Sequence, residues 1–230
     1  WKYVATGDRK GYLSTIDGIT IKERYLTDFD IVNEVLINRS YGFGFGESES
    51  IVIDVGMNVG IASLYFANQP RVKKVYGFEA FPDTYEQAVA NIALNQPGIG
   101  DKIVAMNFAL SDENGKKMVA VSAEETGWRD IFSRDESKRQ VEIVCRDAGE
   151  AVGEILNRHT EKIVLKVDTE GAEFSIFAAL DKAGCFEKID VIMMEYHGDS
   201  EKLLSILKKY GYRYFIQGKN MVCGLIHAIK

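Results

Sequence analysis

Two acidic residues frame a glycine-containing turn in the first half of the chain. Asp54 lies near the end of the apolar run 51–55, and the turn GMNVG over 56–60 follows directly. Glu79 ends the next apolar run, 19 residues after Gly60. Glycines let a backbone approach a ligand closely, and a carboxylate in this position can accept hydrogen bonds from both hydroxyls of a ribose. The spacing therefore predicts a site for a nucleotide-type ligand.

The spacing within the turn distinguishes between two such ligands. A dinucleotide fingerprint reads GxGxxG, but here Asn58 replaces the second glycine and the last glycine, Gly60, comes early. A loop that cradles a pyrophosphate would not follow an acid such as Asp54, whereas a cationic sulfonium would be attracted by it. We predict S-adenosylmethionine, bound by Asp54, Gly56, Asn58, Gly60 and Glu79. An NAD site, or an Asp54 that is buried and only caps a helix, is the alternative.

A second set of polar side chains ends two later apolar runs. Asp168 and Glu195 each end a predicted strand, and His197 lies just beyond. Neighbouring strand ends meet at one edge of a parallel sheet, so these three side chains should converge. Methyl transfer to a hydroxyl needs a positioned oxygen and a base. We predict Asp168 as the general base or acceptor-binding acid and His197 as the rival base. Lys166, on the strand face of Asp168, could pair with Asp168 or Glu195 and keep that carboxylate ionised.

The same residues allow simpler interpretations. Lys166, Glu170 and Glu173 could form a salt-bridged structural core at a helix start, where acidic residues favour the helix dipole. His197 could be only a loop residue. The three convergent side chains could also ligate a divalent metal, but no spacing rule supports this, and no metal is predicted.

The elements that would position these residues alternate between strand and helix. Strands are predicted over 51–55, 74–79, 103–110, 162–168, 191–196, 212–217 and 221–229, and helices over 61–68, 82–94, 148–158, 171–180 and 202–210. Such alternation indicates an α/β fold with a mainly parallel sheet between helices. The last two strands flank the turn 218–220 and are expected to form an antiparallel hairpin.

The rest of the chain is predicted to surround this core. Residues 1–50 should supply strands and a helix, capped near Asp28, that pack on or cap the domain formed by 51–230. The polar segment 111–147 is predicted to be a hairpin-like insertion over the acceptor pocket. Within it, Trp128 could stack on a sugar face or anchor the hairpin.

Four sequence blocks resemble the FkbM methyltransferases. They are IDVGMNVG (53–60), FEAFP (78–82), ALSD (109–112) and LKVDTEGAE (165–173), and the resemblance covers about 50–217. It implies a class I, Rossmann-like sandwich with a seven-stranded sheet. It also implies S-adenosylmethionine-dependent methylation, mostly of hydroxyls on polyketides, sugars and glycolipids.

The resemblance also assigns residues to the donor. It implies that Asp54 and the 56–60 turn form the cofactor loop and that Glu79, followed by Ala80, holds the ribose. Ala109 and Ser111 would lie near the adenine. An NAD-linked oxidoreductase of the same fold class and a non-catalytic cofactor-binding scaffold are the alternative functions.

Composition limits the partners. The 230 residues carry 34 acidic and 28 basic side chains, a formal net charge of −6, which argues against a nucleic-acid partner. No apolar run is long enough to span a bilayer. The scattered Cys145, Cys185 and Cys223 fit reduced thiols in a cytoplasmic protein. The chain begins at Trp1 without a leader pattern, so a fragment is expected. The family resemblance implies a small-molecule or saccharide acceptor.

Overall fold

Strands and helices alternate along most of the chain. The computed structural model describes residues 12–121, 139–218, 220 and 223–230. In chain order the elements are β1 (Tyr12–Ile16), β2 (Ile19–Glu23), α1 (Leu26–Val32), β3 (Ser50–Val55), α2 (Ile61–Ala67), β4 (Val72–Phe78), α3 (Pro82–Ala93), β5 (Ile103–Met106), β6 (Ala109–Ser111), β7 (Gly115–Val121), β8 (Arg139–Asp147), α4 (Ala148–Leu156), β9 (Lys162–Val167), α5 (Glu173–Lys182), β10 (Val191–His197), α6 (Glu201–Lys209), β11 (Arg213–Gly218) and β12 (Cys223–Ile229).

A seven-stranded sheet forms the centre of the molecule, in the order β11-β12-β10-β9-β3-β4-β5. The five strands from β10 to β5 run parallel, and β12 pairs antiparallel with both β10 and β11. The predicted α/β fold class is therefore confirmed. Val55 lies opposite both Phe78 and Val167, so the chain leaves β3, β4 and β9 at one edge of the sheet. That is where ligands bind in such folds.

Both faces of this sheet are buried. On β3, Ile51 and Ile53 pack in one apolar cluster with residues of α4, α5 and α6. Val52 points the other way and packs with residues of β1, β2 and α2. Successive side chains of a strand alternate between faces, so a strand covered on both faces reads as a continuous apolar run. This explains why the sequence predicts the central strands well. No helix in the described ranges combines the length and hydropathy that a membrane span requires.

The N-terminal hairpin is joined to α3 by two asparagine side chains. Asn95 accepts a hydrogen bond from the backbone N–H of Thr20 at 2.9 Å and donates to its carbonyl at 2.8 Å. Fully buried Asn91 accepts from the N–H of Lys22 at 2.9 Å and donates to the carbonyl of Val59 at 2.8 Å. The side-chain amides thus satisfy backbone groups along β2 and tie the hairpin to the loop after β3.

Asp28 caps the first helix as expected, but from a different position, and one predicted strand is wrong. The first helix begins at Leu26, two residues before Asp28, and continues into a π-helical turn over Asn33–Ile37. Asp28 accepts the N–H of Tyr25 from inside the first turn, at 3.2 Å, so it caps the helix from a later position. The predicted strand 103–110 is two strands in different sheets, with Asn107 between them.

The second part of that strand belongs to a small sheet beside the core. Strand β8 pairs parallel with β6 and antiparallel with β7, in the order β6-β8-β7. The chain changes sheets at Asn107, whose side-chain amide donates to the backbone carbonyl of Glu79 at 2.9 Å. The expectation for Trp128 lies outside the described residues.

The hairpin attachment gives a stability prediction. Asn91→Ala removes the partners of the Lys22 N–H and the Val59 carbonyl, and a buried polar group without a partner costs about 1–3 kcal/mol. We expect a lower urea midpoint with an unchanged slope. Glu86→Ala, on the exposed side of the same helix, should change stability by no more than about 0.5 kcal/mol. Equal midpoints for the two variants would contradict the proposed attachment.

Candidate active site

A cavity of about 720 Å³ lies over the carboxyl ends of the central strands. Its walls include the loop after β3, the ends of β4, β9 and β10, and one side of α1 and the π-helical turn. Ligand sites typically measure about 300–1,000 Å³, so the cavity can hold a nucleoside-sized molecule with room for a second, small one. The contribution of α1 gave no signal in the sequence, because only the tertiary fold brings this helix over the sheet edge.

The loop after β3 is held tightly between two strands. The N–H groups of Gly56 and Met57 both donate to the carbonyl of Phe78 at the end of β4, at 3.1 and 2.8 Å. Gly56 has a φ of 78°, and a Cβ there would overlap the carbonyl oxygen of Asp168. Only glycine fits this position. Asn58 is also left-handed, with a φ of 52°, and its side-chain Oδ1 is buried without a hydrogen-bond partner among the described residues.

Glu79 joins this loop to the start of α3. Its Oε2 accepts the N–H of Asn58 at 2.9 Å, and its Oε1 accepts the N–H of Phe81 at 2.9 Å. The side chain lines the cavity and only 6% of the residue is exposed. Ala80 and Ala109 line the same wall. Ser111 instead contacts Asp112 and Lys117 of the small sheet.

The structure places Asp54 beneath the cavity rather than in its wall. The residue is fully buried, and its Oδ2 accepts the hydroxyl of Ser63 at 2.6 Å. Its Oδ1 lies 3.2 Å from Nζ of Lys166, which also donates to the carbonyl of Gly56 at 2.7 Å. Asp54 therefore supports the glycine loop through Lys166, which corrects the expectation that its carboxylate faces the donor directly. Gly60 likewise supports the loop at the start of α2, with a φ of 88°.

Lys166 is charged despite its burial. Burial alone lowers the pKa of its ammonium group, but the charges of Asp54 and Asp168 outweigh that effect and raise the pKa above its ordinary value. Its Nζ lies 3.9 Å from Oδ2 of Asp168, so Lys166 does pair with this acid, as one of the two possibilities predicted. The alternative in which Lys166 belongs to a salt-bridged core with Glu170 and Glu173 is not what the structure shows.

Asp168 is held from the other side of the cavity. Its Oδ2 accepts the hydroxyl of Tyr41 at 3.1 Å. Burial and the charge of Asp168 raise the pKa of Tyr41 well above its ordinary value, so the phenol remains a hydrogen-bond donor. Tyr41 was not predicted, since 127 residues separate it from Asp168.

His197 lies between carboxylates. Its Nδ1 is 3.3 Å from Oε1 of the fully buried Glu173, and its Nε2 is 3.2 Å from Oε2 of Glu170 and 3.8 Å from Oε1 of Glu195. The hydrogen bond to Glu173 outweighs burial and raises the pKa of His197 to about 9. The ring is therefore protonated at neutral pH. This geometry argues against His197 as a base, and also as a metal ligand, because both ring nitrogens carry protons.

The acidic residues that converge at this end of the cavity include Glu170, for which the sequence predicts no catalytic role. Ligating atoms of Asp168, Glu170 and His197 all lie within 4.8 Å of one another, and Glu195 completes the group. Burial and the nearby charge of Asp168 raise the pKa of Glu170 to about 7. The sequence predicts no catalytic role for Glu170, and its position beside Gly171 at a helix start also fits a structural interaction with the helix dipole.

Comparisons with known proteins agree with this geometry. The sequence model of the methyltransferase FkbM domain matches residues 54–214. Methyltransferase 1 of Beauveria bassiana is 22% identical over 209 residues, which cover 81% of this chain and 82% of that protein. Methyltransferase sdnD of Sordaria araneosa is 25% identical over 179 residues, covering 66% and 68%.

A solved structure shares the fold. The crystal structure of methyltransferase FkbM from Methylobacillus flagellatus KT aligns with a TM-score of 0.56 and 16% identity. The alignment covers 84% of this chain and 47% of the solved one, so this chain spans about half the length of that protein.

The buried ion pair gives a second prediction. Asp54→Asn leaves the ammonium of Lys166 without its main counter-charge, and breaking a buried pair costs about 3–5 kcal/mol. We expect a correspondingly lower free energy of unfolding in urea. The double variant Asp54→Asn with Lys166→Met removes both charges and should recover part of that loss.

The matched control is an exposed pair on the same sheet. Lys73 and Glu49 are 2.8 Å apart with about half of each side chain exposed, so Glu49→Gln should cost at most about 1 kcal/mol. An Asp54→Asn variant as stable as Glu49→Gln would show that the buried pair does not support the loop.

Proposed function

The chain belongs to the methyltransferase FkbM domain family, and from this premise we propose that it methylates a hydroxyl group of a small molecule or saccharide. Membership of this family supports methyl transfer with S-adenosylmethionine as the donor. It speaks against the alternative of an NAD-linked oxidoreductase. The observation that carries the hydroxyl proposal is the group of carboxylates formed by Asp168, Glu170 and Glu195 at one end of the cavity. Each can accept a hydrogen bond from a hydroxyl.

The residues at the other end of the cavity fit the donor. Gly56 lines the cavity and has no side chain, so a ligand can approach its backbone there. Asn58 offers a buried Oδ1 without a partner among the described residues, and Glu79 offers a nearly buried carboxylate. We propose that Asn58 and Glu79 bind the polar groups of the donor, and that Ala80 and Ala109 contact its base.

Charge favours a cationic donor in this cavity. S-adenosylmethionine supplies a methyl group carried on a positively charged sulfonium. Six carboxylate side chains line the described part of the cavity, and Lys166 and His197 are the two basic residues among them. Both basic groups are already paired with acids, so the electrostatic potential at the site is negative.

The negative charge of the cavity also disfavours anionic acceptors. Asp30 and Glu34 of the N-terminal segment face the cavity together with Asp168, Glu170 and Glu195. Placing a phosphate or a carboxylate among these acids would bring like charges together, which costs several kcal/mol in a desolvated site. A neutral polyhydroxylated molecule, or one with an amino group, avoids that cost. Asp168, fixed by Tyr41, would orient the acceptor hydroxyl.

The donor assignment can be tested by calorimetry with S-adenosylhomocysteine. Glu79→Gln keeps the shape of the side chain but removes its charge. Because a hydrogen bond to a charged group contributes about 1.5–3 kcal/mol, we expect affinity to fall by about 10- to 100-fold. Glu86→Gln should bind as the unmodified enzyme does. Unchanged affinity in Glu79→Gln, or tighter binding of NAD than of S-adenosylhomocysteine, would contradict the assignment.

The acceptor class can be tested with matched sugars and a donor labelled with ¹³C in its methyl group. We expect kcat/KM for glucose-type and amino-sugar acceptors to exceed that for the matching sugar phosphate and uronic acid by at least about tenfold, because even about 1.4 kcal/mol of like-charge repulsion corresponds to that ratio. The labelled product should show a methoxy resonance. An N-methyl product, or a preference for the anionic sugars, would contradict the proposal. An enzyme that binds donor but methylates nothing in a broad screen would favour the scaffold alternative.

A further inference from the structure

The geometry points to Glu170 as the catalytic base that takes the proton from the acceptor hydroxyl. This inference rests on the proposed hydroxyl acceptor and assigns the base within the same site. Glu170 follows Asp168 by two residues in the loop after β9, and its side chain lines the cavity beside Asp168, Glu195 and His197. It was not among the residues to which the sequence gave a catalytic role.

The backbone at Glu170 is unusual for a residue of this type. Its φ is 52°, in the left-handed region that glycine adopts readily and glutamate rarely does. The next residue, Gly171, also has a positive φ, of 110°. A turn of this shape would be easier to form with glycine at both positions. A bulky acid kept in such a conformation at a cavity wall is typical of functional sites, where the rest of the structure holds the strain.

The neighbouring groups are already committed to other contacts. His197 is protonated between Glu170 and Glu173, so it cannot accept another proton. Asp168 receives the hydroxyl of Tyr41 and lies near the ammonium of Lys166.

Glu170 can exchange a proton near neutral pH. The titratable groups that act on it are Asp168, Glu195 and Glu173, which disfavour its charge, and His197, which favours it. Burial is the largest effect, and together these place the pKa of Glu170 at about 7. A general base works best when its pKa lies near the working pH. About 29% of the side chain is exposed, so it can later release the proton to water.

The acceptor hydroxyl loses its proton to Glu170 as its oxygen gains the methyl group. The O–H bond of the acceptor breaks and its proton moves to a carboxylate oxygen of Glu170. The oxygen lone pair forms the new C–O bond to the methyl carbon, and the electron pair of the broken C–S bond remains on sulfur. The products are a methyl ether, neutral S-adenosylhomocysteine and protonated Glu170. The positive charge of His197 stabilises the ionised form of Glu170 before the transfer.

The first test is the pH dependence of kcat/KM with an accepted sugar. Because Glu170 must be ionised, activity of the unmodified enzyme should rise with pH through about 7. Glu170→Gln should lower kcat by about 10²- to 10⁴-fold and abolish that rise, while S-adenosylhomocysteine binds within about threefold of normal. His197→Gln removes a neighbouring positive charge and should move the rise to higher pH. Glu86→Gln, an exposed acid of α3, should leave the profile unchanged.

The second test needs no acceptor. In enzyme labelled with ¹³C at the glutamate carboxyl carbons, the resonance that disappears in Glu170→Gln should titrate near pH 7. Titration near the ordinary glutamate value, or a Glu170→Gln variant with normal kcat and pH profile, would overturn the assignment. Failure of the proposed function looks different: Glu170 would titrate near 7 and the donor would bind, but the labelled methyl group would appear on nitrogen or carbon. That result would contradict the proposal of a hydroxyl acceptor, but it would leave the titration of Glu170 near pH 7 unchanged.

Discussion

A buried ion pair between adjacent strands determines the geometry of the site. Asp54 of β3 lies directly opposite Lys166 of β9 in the parallel register, and the two side chains are 0% and 3% exposed. Neither charge would be tolerated there alone, because an isolated buried charge is strongly unfavourable. The ammonium of Lys166 also holds the Gly56 carbonyl and lies near Asp168. One cation therefore positions both the glycine loop after β3 and an acid at the end of β9.

A second buried group, Glu173, has a pKa that is shifted in the opposite direction from that of Glu170. Glu173 is fully buried, and its Oε1 accepts the N–H groups of Thr169 and Gly171 at 3.0 and 3.1 Å in addition to contacting His197. Burial alone would raise its pKa, but the hydrogen bonds from His197 and Gly171 outweigh it and lower the pKa. Glu170, on the other side of the same ring, has its pKa raised. Glu170 and Glu173 both contact one imidazolium, and their surroundings shift their pKa values in opposite directions. Opposite shifts of this kind distinguish structural from reactive carboxylates.

The sequence predicts the order of strands and helices correctly where the local residue pattern agrees with the burial of each element in the fold. The central strands are continuous apolar runs because both of their faces are covered, and turn residues separate them from the helices. The prediction for 103–110 was wrong because its apolar pattern continues through Asn107, where the chain leaves one sheet for another. The apolar pattern of a segment indicates that its side chains are buried. It does not indicate which strand lies beside that segment. Asp28 caps α1 from inside the helix for a related reason, since an acidic side chain can accept a backbone N–H from either of two positions at a helix start.

The sequence by itself determined the fold class, the family and the sheet edge at which Gly56, Glu79, Asp168 and Glu195 come together, since the motifs and the strand ends are local features. Only the tertiary structure decided which acids face the cavity and which support it. Asp54 and Glu170 both belong to the sequence blocks that resemble the family, yet one is buried against a lysine and the other lines the cavity. Burial and ionisation depend on distances between groups far apart in the chain, such as Asp54 with Lys166 or Tyr41 with Asp168, and no local spacing encodes those distances.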